Sequence, residues 1–276
     1  MVNIKQNPFS LYDFLGYLTP GAIFFYGLLY VFNHSGPFTL FICDVNQYLG
    51  FDKPAIYIPF ILASYTTGHF LSFLSSIFIE QYSIWAFDYP SRYLFELKRD
   101  KKELKIRILY FILSILILPI WVCDCLFSKI GIRVLYAKEL EKPLVDLLEN
   151  KLKDFIKEHA GIKDKEKIDE AINQGFFRYI YHYALENANS HLPKFQNYVA
   201  LYGFLRTITL ITAIFYWRVV IHVYKGTLSY YYLFLFLIPY VFFMGFSKIF
   251  RKFTVEVFMA FSVIYHIKEG KLSYLD

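Results

Sequence analysis

Apolar positions gather into five long runs along this chain, Phe14–Phe32, Ile56–Ile79, Ile108–Phe127, Ala200–Val223 and Leu228–Phe246. Each is about 19–24 residues long, and at ~1.5 Å per helical residue that is enough to cross a hydrocarbon core. The pattern predicts an all-α membrane protein with four transmembrane helices, plus a third apolar segment that is re-entrant or a fifth crossing. Two features argue that the third run stops short. Pro119 interrupts it, and Asp124 burdens its far end just before Lys129 and Arg133. Its length alone would permit a full crossing.

The spacing changes character after this run. Between about 134 and 196 the chain is rich in Lys and Glu, with breaks at Pro143, Gly161 and Pro193. Leu144, Leu147, Leu148, Leu152, Phe155 and Ile156 recur at helical intervals, starting at Lys142-Pro143 and ending at His159-Ala160-Gly161. A second amphipathic helix is expected from about 164 to 186, with Ile168, Ile172, Phe176, Tyr179 and Tyr183 as its stripe. Two such helices bury too little to stand alone, so they must pack on each other, on the tail or on sister subunits. Phe253, Val257, Phe261 and Ile264 put an apolar face on the tail, with Glu256 among them. The expected organisation is 1–133 as an N-terminal membrane region with two crossings and the re-entrant or interfacial helix. A cytosolic helical module follows at 134–196, a transmembrane hairpin at 197–249 and a cytosolic tail helix at 250–276.

Charge adds an orientation. Arg92, Lys98, Arg99, Lys101, Lys102, Lys105 and Arg107 crowd the link after the second run, and Lys248, Arg251, Lys252, Lys268 and Lys271 crowd the tail. Lysine and arginine collect on the cytoplasmic side, so both termini are expected there, in a multi-pass protein of a bacterial inner membrane. The net charge of +6 over 276 residues is explained by such flanks. Aromatic residues make up 21% of the chain, a share that suits rings at membrane interfaces. The apolar start is too long for a signal-peptide core and reads as a first crossing.

Enzyme signatures are missing. There is no phosphate-cradling Gly-rich loop, no His-Glu-x-x-His and no Gly-x-Ser-x-Gly, so no catalytic residue, cofactor or metal is expected. Cys123 and Cys125 flank Asp124 without a second pair and read as small buried hydrophobes. The informative polar residues lie inside the apolar runs. His69, beside Gly68, is a pore-lining or gating candidate; it reads equally as a packing residue where Gly68 lets helices approach. Arg206 lies about two turns inside the fourth run, and Glu80 and Asp88 follow the second. Arg206 can snorkel, the cheaper explanation, or pair with a carboxylate across the bundle, and Glu80 and Arg206 join His69 as pore or gating candidates. In the module, Phe176-Phe177-Arg178-Tyr179-Ile180-Tyr181-His182-Tyr183 interleaves rings with basic groups. Those are the parts that stack bases and hold phosphate, and Lys163, Lys165, Lys167 and Lys194 add positive field. The ligand candidates are therefore Lys163, Lys167, Arg178, Tyr179, Tyr181 and His182. Against this, only part of the run can face one way, and tyrosine-rich faces more often pack subunits or headgroups.

Three stretches carry a resemblance. Asn7-Pro8-Phe9-Ser10-Leu11-Tyr12-Asp13-Phe14-Leu15-Gly16-Tyr17 with Pro20-Gly21 resembles the opening of small bacterial membrane proteins, as do Ser64-Tyr65-x-x-Gly68-His69 and Leu201-Tyr202-Gly203-Phe204-Leu205-Arg206. The overall plan is similar to that of prokaryotic antiphage-defence transmembrane effectors, in particular Hailong-type channel effectors. The resemblance implies a channel gated by an oligonucleotide messenger, made by a nucleotidyltransferase encoded nearby. It carries over no ligand or gate residues. The expected function is thus an oligomeric membrane effector forming a ligand-controlled ion pore, with a homo-tetramer favoured and the lipid bilayer as its surroundings. A non-enzymatic scaffold recruiting a soluble partner is the alternative, and a membrane-embedded lipid-acting enzyme ranks third.

Overall fold

The structure is a computed structural model that describes residues 13–31, 57–95, 115–160, 176–188, 190–223 and 230–272. Among these the chain is all helical, with no strand. A π-helical turn at Phe14–Leu18 leads into α1 (Thr19–Val31). Next come α2 (Tyr57–Ser75), a second π-helical turn at Ser76–Glu80, α3 (Gln81–Phe87) and α4 (Pro90–Tyr93). A short α5 (Leu118–Ser128) and a 3-10 turn at Ile132–Leu135 precede α6 (Lys142–Ala160). The series ends with α7 (Phe177–Asn187), α8 (Leu192–Val223) and α9 (Tyr230–Leu272). The N-terminal stretch before Asp13, the segment 33–55, the basic link after 95, the segment 224–229 and the lysines at 163, 165 and 167 lie outside the described residues.

Two helical stretches, Ile58–Tyr93 and Leu192–Val220, are long and apolar enough to cross a membrane. Phe14–Leu28 and Leu118–Ser128 are apolar but shorter. Of an apolar 18-residue window in each, 28% and 39% is buried. A core helix of a water-soluble domain would be mostly covered, and these helices leave much apolar surface open among the described residues.

Pro119 begins a helix rather than breaking one. It sits in the first turn of α5, where a missing N–H leaves no bond unmade and the ring presets the helical φ. The Trp217 indole N–H donates to the Leu116 carbonyl at 2.9 Å and pins this start to α8. The described helix of 11 residues would span roughly 16 Å, about half a hydrocarbon core. At the other boundary, α9 passes through position 250 without interruption and runs for 43 residues, roughly 64 Å. Lys248, Arg251 and Lys252 mark a chemical border on a helix that does not stop there, because basic residues are good helix formers.

The long helices therefore serve two cores. In the apolar bundle, Leu71, Ile79, Tyr82, Ile120, Ile208 and Phe243 pack together. In the module, Leu148, Leu152, Phe155, Ile180, Val257 and Phe261 do so. The amphipathic helices α6 and α7 thus close onto the tail half of α9. Leu144, Leu148, Leu152 and Phe155 face this core as the periodicity predicts, and Ile156 is buried as well. Leu147, about 100° off that face, is 46% exposed. Glycine sets the spacing of the N-terminal pair. A Cβ on Gly68 would lie 1.9 Å from the Tyr17 carbonyl oxygen, and one on Gly21 would lie 1.8 Å from that of Ser64. Backbone touches backbone here, as small residues allow between apolar helices.

Candidate functional site: polar seams inside the apolar bundle

Arg206 and Glu80 meet. The guanidinium of Arg206, on α8, donates through Nη1 to Glu80 Oε2 and through Nε to Ser75 Oγ at 3.1 Å. Its Nη2 reaches the Ser72 carbonyl and hydroxyl, each at 3.4 Å. The π-helical turn makes this possible. Five residues on in an α-helix would turn Glu80 roughly 140° away from Ser75. The wider i→i+5 turn at Ser76–Glu80 brings it back to the same side. Thr207 extends the seam, its hydroxyl 3.3 Å from that of Ser75. The Arg206 side chain is 12% exposed and that of Glu80 25%. Snorkelling to the interface was the cheaper expectation for Arg206; a carboxylate and two serines of the facing helix hold it instead.

A second polar cluster surrounds Asp124, the buried charged residue of α5. Arg133 donates to it from Nη2 at 2.6 Å and from Nε at 3.3 Å. Tyr136 donates at 2.8 Å and Tyr82 at 3.4 Å. Arg133 also lies over the Phe87 ring, 5.0 Å from its centre, and the Tyr136 hydroxyl is 3.3 Å from that of Tyr240. Three residues thus donate hydrogen bonds to this buried carboxylate. Sequence reasoning saw Asp124 as a burden on an apolar run without finding its partners. The signal was the cation nine residues on.

His69 is placed differently. It is exposed on α2, its ring stacked on Tyr17 at 3.6 Å and 19° and edge-on to Tyr65 at 4.6 Å. It lies apart from the Arg206–Glu80 seam, on the outer face of the helix pair joined at Gly68.

In the module, most rings of the 176–183 run are used in packing. Phe155 gathers Phe176, Tyr179 and Tyr183 at centroid distances of 6.1, 5.6 and 4.8 Å, together with Phe261 at 5.0 Å from the tail. Tyr181 packs on Phe253 at 5.6 Å, and burial pushes its phenol above the ordinary tyrosine value. Arg178, Tyr179 and His182 remain at the surface of α7. They are the ligand candidates that the described residues leave open to solvent, while Lys163 and Lys167 lie outside them. The cavity beside Phe176, Phe177 and Phe258 holds about one water-sized probe, too little for a base. Glu256 clips the module's edge, 2.7 Å from Lys194 Nζ and 3.1 Å from His191 Nδ1.

Compared with family models, curated proteins and solved structures, the chain has no match.

Proposed function

We propose that this protein is a non-enzymatic, oligomeric membrane effector whose helical module controls an ion path, acting in antiphage defence under a nucleotide or oligonucleotide messenger. One observation carries the reading. The Arg206–Glu80 seam sits between two helices long and apolar enough to span, and Arg206 stands on α8, whose first turns belong to the module. Ionisable groups in such surroundings mark paths and gates more often than they mark packing. A displacement of the module would thus be passed along α8 to the ion pair. The exposed Arg178, Tyr179 and His182 supply the contact chemistry for an anionic messenger.

Liposome ion flux tests this. The pair is partly buried, so its removal should destabilise the closed arrangement by roughly 1–3 kcal/mol, between the surface and buried limits. Glu80→Gln should therefore raise messenger-independent flux, and the exchange Glu80→Arg with Arg206→Glu should lower it again. Arg178→Ala should reduce the response to short oligoadenylates and its salt dependence. Absence of flux from the folded wild-type oligomer at every oligonucleotide tested would overturn the pore reading in favour of a scaffold.

A further inference from the structure

His69 is an exposed polar residue on α2. Among the described residues its imidazole has ring contacts to Tyr17 and Tyr65 and no hydrogen-bond partner. It stands near the middle of α2, in a line of exposed residues formed by Ile58, Leu62, Thr66, His69, Phe73 and Ile77. These recur every three or four positions and cover one side of the helix. The opposite side, with Ser64, Gly68, Leu71, Ser75 and Ile79, is buried. Leu62 and Phe73 are 61% and 62% exposed.

We propose that this face of α2 is where a second copy of the chain packs, and that His69 of one copy bonds to His69 or Thr66 of the next. The proposal rests on the membrane-oligomer reading above and deepens it by naming the contact. Lipid is the competing occupant, and its tails offer no hydrogen bond to an imidazole held mid-helix. A second copy does. A neutral imidazole has one donor and one acceptor nitrogen, so identical rings can bond head to tail around a symmetry axis. Thr66 offers an acceptor on the same face, its own hydroxyl proton going to the Leu62 carbonyl at 2.9 Å. The face is also prepared for contact. Tyr17 and Tyr65 hold the imidazole ring from two sides, so little ordering remains for association. The backbone approach of Gly68 to Tyr17 fixes Tyr17 in turn.

Cross-linking in native membranes tests the face directly. The full-length protein would carry Thr66→Cys or Phe73→Cys. Val241→Cys, exposed on α9, and the unsubstituted chain would serve as references under the same bifunctional maleimide. Thr66→Cys and Phe73→Cys should give covalent dimers, and the two references should not. A second arm follows the oligomer fraction on dilution in detergent. His69→Leu should raise the dissociation constant about three- to twentyfold, the range of one interhelical hydrogen bond, and His69→Asn should recover part of the loss. Dimers at Val241 but not at Thr66 or Phe73 would overturn this face while leaving an oligomer and its flux intact. An unchanged oligomer fraction in His69→Leu would overturn the histidine contact. Cross-linking at Thr66 without any liposome flux would retain the interface and remove the pore.

Discussion

The bundle and the module are built from the same kinds of residue and held in opposite ways. In the module the rings are inside and the charges at the rim. Phe155, Phe195 and Phe261 are fully buried, while Glu256 with Lys194, and Tyr265 with Glu158 at 2.8 Å, tie the edges. In the bundle, polar groups lie within beside buried rings such as Tyr240, Phe243 and Phe246, and further rings face out. Asp124 is buried among donors and Arg206 is nearly so, while Phe14, Phe70 and Phe73 are exposed. The membrane setting proposed above accounts for the difference. Against water the apolar surface is what must be hidden; against lipid there is no such drive, and interior packing and polar contacts hold helices together.

The strongest way to break the comparison is to remove the ring at the centre of the module. Phe155→Ala deletes the contacts to Tyr183, Phe261 and Tyr265 at 4.8, 5.0 and 5.6 Å. A fully buried phenylalanine lost this way should destabilise the module by about 3–5 kcal/mol. Limited proteolysis should then cut within α6 and α7 while α2 and α8 stay protected. Equal loss of protection in both regions would mean that the two cores do not melt separately.

How much of this division could be read in advance depends on what each half relies on. The module was legible because its cohesion is periodic. The stripe Leu144, Leu148, Leu152 and Phe155 and the tail face Phe253, Val257 and Phe261 are one-dimensional patterns, and α6 begins and ends where its caps predict. The all-helical class followed from the same patterns. Partners were not legible. Glu80 and Arg206 are 126 positions apart, and their meeting depends on a π-helical turn that no propensity encodes. Asp124 could have been assigned to any nearby cation. Continuity of α9 is not legible because Lys248, Arg251 and Lys252 look like a boundary, whereas the helix carries them without stopping.

A smaller effect is expected at the glycine seam. Gly68→Ala puts a methyl group 1.9 Å from the Tyr17 carbonyl, and the obstacle is backbone, which cannot rotate away. Overpacking of this kind should lower stability by about 1–3 kcal/mol. It should also shift the ring stacked on His69, since Tyr17 carries both contacts. Thermal unfolding in detergent reads the loss. A melting temperature equal to that of the wild type would mean that α1 and α2 stand further apart than described.

The least effect, and the finest test of the contrast, belongs to Tyr181. Its ring packs on Phe253 and lies 6.2 Å from Phe195, while its hydroxyl adds a group that burial keeps protonated. Because the folded-state value is raised, the contribution is full below the ordinary tyrosine value. It is lost as pH climbs past about 10 and through the folded-state value. Tyr181→Phe keeps the ring and removes that proton. At pH 7 the stability of the module should change by less than about 0.5 kcal/mol, the usual size for a change away from core contacts. Above pH 10 the variant should lose stability less steeply than the wild type. Parallel alkaline profiles would show that the phenol reaches water as freely as an exposed one. The module would then be looser around α7 than its ring packing implies.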